Sequence, residues 1–205
     1  MKVVELDPEQ VKSLVLAPTS VRAPGPAHVS NIIRDISNTV LKPGQREKYD
    51  DLSPAERQRM GNFTSVGWAW EQVIRRGMLD AGAGPRGYIN DDERFQCPRP
   101  LHLDGIHGTP DWLDIVAWEN VEFKATWRSS TRPLDPDFWE WTTQFKAYCK
   151  LLACTSTRLL VFYVNGDYRE SGPQYKDIRI VFSQLEIEDN WEMLKLHAQA
   201  KGWIK

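Results

Sequence analysis

The sequence has few cysteines and no long hydrophobic run, and neither sign of charge dominates it. Its three cysteines, Cys97, Cys149 and Cys154, form no CxxC pair and leave one thiol over in any disulfide scheme, which favours a reducing compartment and argues against a cysteine-bound metal cluster. The longest apolar run, at 159–164, is far shorter than the roughly 20 residues that span a bilayer. The first residues also lack a secretory signal. We therefore expect a cytoplasmic protein with no membrane contact.

Acidic and basic residues are nearly balanced along the chain, with 26 lysines and arginines against 28 aspartates and glutamates and a sequence pI of about 6.1. This balance gives no sign of an extended basic surface, so any contact with nucleic acid must be concentrated in a small area. The 205 residues are 41% hydrophobic, enough for one core. We expect a single domain over 1–205, with a proline-rich arm at about 1–28.

Hydrophobic periodicity predicts alternating groups of helices and strands. Apolar residues recur at helical spacing from Val29 to Val40 and again over 65–79 and 137–153, and helix start signals lie at 53–56 and 183–186. Short alternating stretches broken by glycine and proline predict a meander of three strands over 95–126, and further strands are expected at 159–164 and 178–182. The predicted order is αα-βββ-α-ββ-α.

The triplet Glu122-Phe123-Lys124 combines a carboxylate and an amine at strand spacing. Side chains alternate along a strand, so Glu122 and Lys124 share one face while the Phe123 ring points to the other. Asp111 precedes Glu122 by eleven positions, and a turn at 117–120 would bring it beside the pair in a hairpin. Two carboxylates suit a hard divalent cation, and a nearby ammonium can orient a water and balance phosphate charge.

Gly108-Thr109-Pro110-Asp111 followed by Glu122-Phe123-Lys124 resembles the signature of the PD-(D/E)XK nuclease superfamily. Gln144 and Tyr148 resemble the Q-x-x-x-Y motif of its RecB-like and lambda-exonuclease-like members, and Glu71, four residues after Gly67, resembles their helical acidic ligand. The resemblance implies an α/β, restriction-endonuclease-like core with a mixed central sheet flanked by helices. It also implies catalytic roles for Asp111, Glu122 and Lys124.

The same resemblance implies Mg²⁺ or Mn²⁺ held by Glu71, Asp111 and Glu122, and DNA as the partner. An exonuclease acting on DNA ends in recombination, repair or phage DNA processing is the leading interpretation. A structure-specific endonuclease and a non-catalytic DNA-binding or assembly protein are the alternatives. The iron–sulfur cluster of some RecB-like enzymes is not expected, because it needs four cysteines. A homo-oligomer and a recombination partner protein both remain open.

Several of these residues also have a purely structural interpretation. Asp111 after Pro110 could initiate a turn, and Glu71 could pair with Arg75 one helical turn away. Tyr148 lies on an apolar stripe and could be a core residue with a hydrogen-bonded hydroxyl, while Gln144 and Tyr148 together could contact substrate. Arg128 and Arg132, in the loop after the Glu122 strand, could grip phosphates or belong to an ordinary polar loop.

Overall fold

The computed structural model describes residues 25–41, 53–55, 58, 69, 73, 76, 94–96, 98–126, 138–164 and 174–205. The elements are the helices α1 (Val29–Ile36), α2 (Trp139–Leu152) and α3 (Gln184–Ala200), a π-helical segment (Ser37–Leu41), and the strands β1 (Phe95–Gln96), β2 (Leu101–Leu103), β3 (Ile106–Gly108), β4 (Trp112–Asp114), β5 (Glu119–Thr126), β6 (Ser156–Tyr163) and β7 (Gln174–Val181). Most of the predicted helix that starts at 53–56, of the predicted helix over 65–79 and of the proline-rich arm lies outside the described residues. The described residues Pro54, Ala55, Gln58, Ala69, Val73 and Arg76 of the two segments are helical.

The described strands form a five-stranded sheet in the order β1-β4-β5-β6-β7 and a separate two-stranded hairpin, β2-β3. Strands β5 and β6 are parallel, and the other neighbours in the larger sheet are antiparallel. The expected α/β class, with a mixed central sheet flanked by helices, is confirmed. The prediction of a three-stranded meander over 95–126 is wrong in detail, because this region holds five strands. Asp104 and Gly105, both at positive φ, turn the extra hairpin.

Helix α2 makes the crossover between the two parallel strands and covers one face of the sheet. Phe145 and Leu152 of this helix pack with Leu159 and Val161 of β6 in a buried cluster. Strand β6 begins at Ser156, earlier than the predicted Leu159, because buried polar residues also belong to it. Thr157 is fully buried, and its hydroxyl accepts a hydrogen bond from the Asn120 side chain. Apolar patterning alone does not reveal such a residue.

Helix α1 packs its apolar stripe against α2 and α3. Four of the five residues predicted for that stripe, from Val29 to Ile36, are buried in a cluster with Trp191 and Leu194 of α3. The fifth, Val40, is 61% exposed, so its predicted inward position is wrong. The chain passes into a π-helical turn after Ile36, and this wider turn moves Val40 off the stripe.

Helix α3 begins and ends as its sequence predicts. Ser183 and Glu186 form a reciprocal capping box at its start, which satisfies backbone N–H groups that have no partner within the helix. Gly202 adopts a positive φ just beyond its end, as helix termini commonly require. In the described parts of the chain, no helix is long and apolar enough to cross a membrane.

Leu194 and Leu196 provide a matched test of this packing, since both lie on α3 and only one belongs to the core. Leu194 is fully buried and Leu196 is 57% exposed. We expect Leu194→Ala to lower the free energy of unfolding by about 2–5 kcal/mol, because it leaves a cavity between the three helices. Leu196→Ala should change it by about 0.5 kcal/mol or less. Denaturant titration measures both, and equal losses would contradict the described packing.

Candidate active site on the β4–β5 hairpin

Strands β4 and β5 form the hairpin that the sequence predicts around Asp111 and Glu122. Trp112 pairs with Val121, so Asp111 and Glu122 come next on the two strands. The Asp111 N–H donates to Glu122 Oε1 at 3.3 Å, and the Phe123 N–H donates to Asp111 Oδ2 at 3.0 Å. The expected convergence of the two carboxylates is therefore present. Only the turn differs, because residues 119 and 120, expected in the turn, are paired in β5.

Asp114 holds this turn in place, a role that sequence inspection did not assign to it. Its Oδ1 accepts hydrogen bonds from the N–H groups of Val116 and Ala117, both at 3.0 Å. Its Oδ2 accepts from Arg94, at 2.9 Å from Nε. Burial alone would raise the pKa of Asp114, but Arg94 and the two amides hold this pKa below its usual value. An aspartate just before a turn is a recognisable turn signal, so the role could have been inferred.

Strand alternation places the candidate site residues and the packing residues of β5 on opposite faces. Phe123 lies with Trp112 and Val121 in a buried cluster on one face. Glu122 and Lys124 lie on the other, where Lys124 Nζ donates to Glu122 Oε2 at 3.1 Å. The Glu122 side chain is 1% exposed and that of Lys124 is 18% exposed. The Glu122 carboxylate is therefore shielded from solvent, whereas part of the Lys124 side chain reaches it.

Gln144 and Tyr148 of α2 extend this arrangement from the sheet to the helix. Lys124 Nζ donates to Gln144 Oε1 at 2.9 Å, and Gln144 Nε2 donates to the Tyr148 hydroxyl at 2.9 Å. The Lys124 ammonium also lies 5.8 Å from the centre of the Phe145 ring. Tyr148 is 2% exposed, which matches the interpretation of a core tyrosine with a hydrogen-bonded hydroxyl. The network runs without a break from Asp111 to Tyr148.

Gly108 allows α2 to approach the chain just ahead of Asp111. A Cβ atom at this position would lie 2.8 Å from Leu151 Cδ1 and 2.9 Å from Tyr148 Cε1. Both distances are too short for carbon atoms in contact. A glycine here lets the Tyr148 ring, and with it the Gln144 amide, reach the strand that leads to the hairpin.

The Glu122 carboxyl has a strongly perturbed acidity. Burial, reinforced by the neighbouring charge of Asp111, raises the pKa of Glu122 to about 8, although Lys124 acts in the opposite direction. A single ammonium therefore does not compensate for the burial of the Glu122 carboxylate beside a second carboxylate. A cation beside both groups would favour the ionised form of Glu122.

The donor set fits a hard divalent cation such as Mg²⁺ or Mn²⁺, which prefers carboxylate oxygens. Asp111 and Glu122 are two of the three predicted ligands. The third, Glu71, lies outside the described residues, as do Arg128 and Arg132. Within the described part of the chain, no group of three histidines, cysteines, aspartates or glutamates could hold a metal ion. Glu71 therefore stays a prediction.

Comparison with known proteins gives only distant structural similarity. No protein-family model matches the sequence, and no curated protein matches it at a significant level. A phage-related exonuclease from Haemophilus somnus 129PT is 12% identical, with a TM-score of 0.44 over 83% of this chain and 79% of that one. The protein SSO0001 is also 12% identical, with a TM-score of 0.44 over 91% and 83% of the two chains. Similarity at this level does not assign an activity.

Substitution of Gly108 tests the close approach of α2. We expect Gly108→Ala to lower the free energy of unfolding by about 1–3 kcal/mol, because the new methyl group overpacks against Leu151 and Tyr148. Shortening one neighbour should relieve the clash, so Gly108→Ala with Leu151→Ala should cost less than the sum of the single changes. Denaturant titration of all four proteins measures this coupling. Additive losses would show that the glycine is not needed for this contact.

Substitution of Glu122 tests its raised pKa in metal-free protein. Glu122 keeps its proton in the folded state up to a pH of about 8, whereas in the unfolded state it loses the proton near pH 4.5. The contribution of this retained proton to the free energy of unfolding is therefore fully present below pH 4.5. This contribution is lost as the pH rises through about 8. Over that range the free energy of unfolding falls by up to about 1.4 kcal/mol per pH unit. Glu122→Gln removes the titration. We therefore expect the free energy of unfolding of the variant, relative to that of wild type, to increase as the pH rises from 4.5 to about 8.

The measurement is a series of denaturant titrations in EDTA from pH 5 to about 8, the window between the two pKa values. Titrating groups that do not interact with Glu122 are common to both proteins and cancel in the difference. Parallel stability curves for wild type and Glu122→Gln would mean that the pKa of Glu122 is close to its ordinary value.

Proposed function

We propose that the protein is a divalent-metal-dependent nuclease that hydrolyses DNA phosphodiester bonds. The observation that carries the proposal is the unbroken network from Asp111 through Glu122 and Lys124 to Gln144. Two carboxylates and an ammonium share one face of a hairpin, and a helix residue orients the ammonium. This is the combination of groups that phosphodiester hydrolysis needs.

Asp111 and Glu122 are the residues proposed to hold the cation. When bound, a divalent ion neutralises charge on the phosphate and makes a water more acidic. Asp111 would hold the cation through its carboxylate, whose Oδ2 also accepts a hydrogen bond from the Phe123 N–H. Glu122 contributes a carboxylate that burial keeps from bulk water. Glu71 is proposed as a third ligand on the basis of the motif resemblance alone.

Lys124 is proposed to act on the attacking water and on the charge that develops at phosphorus. Two acceptors, Glu122 Oε2 and Gln144 Oε1, fix the direction of its ammonium. An ammonium is a positively charged donor, and its proposed role is to donate towards a water or a phosphate oxygen. A donor that is already oriented needs little rearrangement during the reaction. Gln144, supported by Tyr148, is in this view a positioning residue for Lys124.

The proposed substrate is a DNA end, and the motif likeness to RecB-like and lambda-exonuclease-like enzymes is what supports it. A phage-related setting, with recombination or repair as the process, belongs to the same proposal. The alternative is a DNA-binding or assembly protein that retains a nuclease fold without turnover. The contacts of Glu122 with both Asp111 and Lys124 disfavour that alternative.

Cleavage assays with two substitutions at the hairpin test the proposal. We expect wild type to degrade linear DNA in Mg²⁺ or Mn²⁺ and to be inactive in EDTA. Asp111→Asn and Lys124→Ala should each lower the rate by about 100-fold or more, because the first removes a proposed ligand of the cation and the second removes the group proposed to act on the attacking water. Lys195→Ala is the matched control, since this lysine pairs with Glu192 on α3 and should leave the rate unchanged.

The form of the DNA distinguishes the versions of the proposal. Degradation of linear but not covalently closed circular DNA supports an exonuclease, and cleavage of the circle supports an endonuclease. DNA binding without cleavage under every metal condition supports the non-catalytic alternative. Cleavage that survives both Asp111→Asn and Lys124→Ala rejects this hairpin as the active site.

A further inference from the structure

Strand β7 ends the five-stranded sheet as far as the described residues show, and it is long and regular for an edge. All eight of its residues pair with β6 in continuous antiparallel register, without a bulge. No proline interrupts it, and its one lysine, Lys176, lies over the Tyr163 ring with Nζ 5.3 Å from the ring centre. Natural edge strands are usually protected by prolines, bulges, short length or charged side chains. Strand β7 has none of the first three protections, and its charged residues are Lys176, Asp177 and Arg179.

One face of β7 also presents apolar side chains to solvent. Tyr175 is 60% exposed and Val181 is 69% exposed, and they lie at the two ends of the same alternating face as Asp177 and Arg179. Tyr175 stacks on Phe162 of β6 with ring centres 5.1 Å apart, so its position is set. A regular edge with exposed apolar side chains is a template for another strand.

The sequence of β7 is complementary to itself when it runs antiparallel. In a pairing centred on Ile178, Asp177 faces Arg179 of the second copy and Tyr175 faces Val181, and both pairs occur twice through the symmetry. A pairing centred on Asp177 would place the Asp177 side chains of the two copies opposite each other. A pairing centred on Arg179 would do the same with the two Arg179 side chains. Like charges directly opposite each other destabilise a sheet, and opposite charges stabilise it. Only the centre at Ile178 avoids such a clash among these three.

We propose that two copies of this chain associate through β7, joining their sheets into one continuous sheet across an isologous interface. The ion pairs within each chain leave room for this contact. Asp177 binds Arg158 and Arg179 binds Glu119, yet the Asp177 and Arg179 side chains remain 49% and 59% exposed. Strand β6 separates β7 from β5, which carries Glu122 and Lys124. The interface therefore does not include the candidate active site.

Charge reversal at Asp177 and Arg179 tests the interface. We expect wild type to sediment at twice the chain mass of 23.6 kDa. Asp177→Arg alone, and Arg179→Asp alone, should each sediment as a monomer, because each places like charges opposite one another. Mixed in equal amounts, the two variants should form a heterodimer, since both cross-strand ion pairs are restored. The double variant with both substitutions should again form a homodimer.

Analytical ultracentrifugation gives the masses, and native mass spectrometry identifies the heterodimer. Circular dichroism checks that each variant is folded, and Asp189→Arg, an exposed charge reversal on α3, should leave the dimer intact. A wild type that stays monomeric at its highest soluble concentration overturns the proposal. So does a dimer that survives both single reversals, or a mixture of the two variants that fails to associate. None of these outcomes depends on whether the protein cleaves DNA.

Discussion

The register of the β4–β5 hairpin is the constraint on which the candidate site depends. Side chains alternate along β5, so a slip of one residue would place Phe123 beside Asp111 and turn Glu122 and Lys124 to the opposite face. Asp114 prevents this slip by binding two amides of the turn and the Arg94 guanidinium at once. A buried aspartate at the far end of the hairpin thus determines which carboxylates meet at the near end.

The helix and the sheet contribute different parts of the same network. Strand β5 supplies the carboxylate and the ammonium, and α2 supplies the amide and the hydroxyl that orient the ammonium. Helix α2 is also the connection between the parallel strands β5 and β6, and its apolar side chains pack on β6. The same packing that stabilises the crossover therefore positions Gln144 over Lys124.

Much of this site could be predicted from local sequence, because strand alternation and the i,i+4 spacing of a helix are local properties. They were sufficient to place Glu122 with Lys124 and Gln144 with Tyr148. Other features depend on contacts between distant residues. The start of β6 depends on Asn120 bonding to Thr157, and the need for a glycine at position 108 depends on a tyrosine forty residues later. The outward turn of Val40 follows from a π-helical segment that apolar spacing does not indicate.

The buried Glu122 carboxyl has one consequence for how a cation would enter the site. With a pKa of about 8, this group is mostly protonated at neutral pH when no cation lies beside it. A carboxylic acid must lose its proton before it can act as a ligand. Occupation of the proposed site is therefore an exchange of a metal ion for a proton, and it depends on the ratio of their concentrations. Mild acidification would therefore weaken cation binding at such a site without any change in the supply of metal.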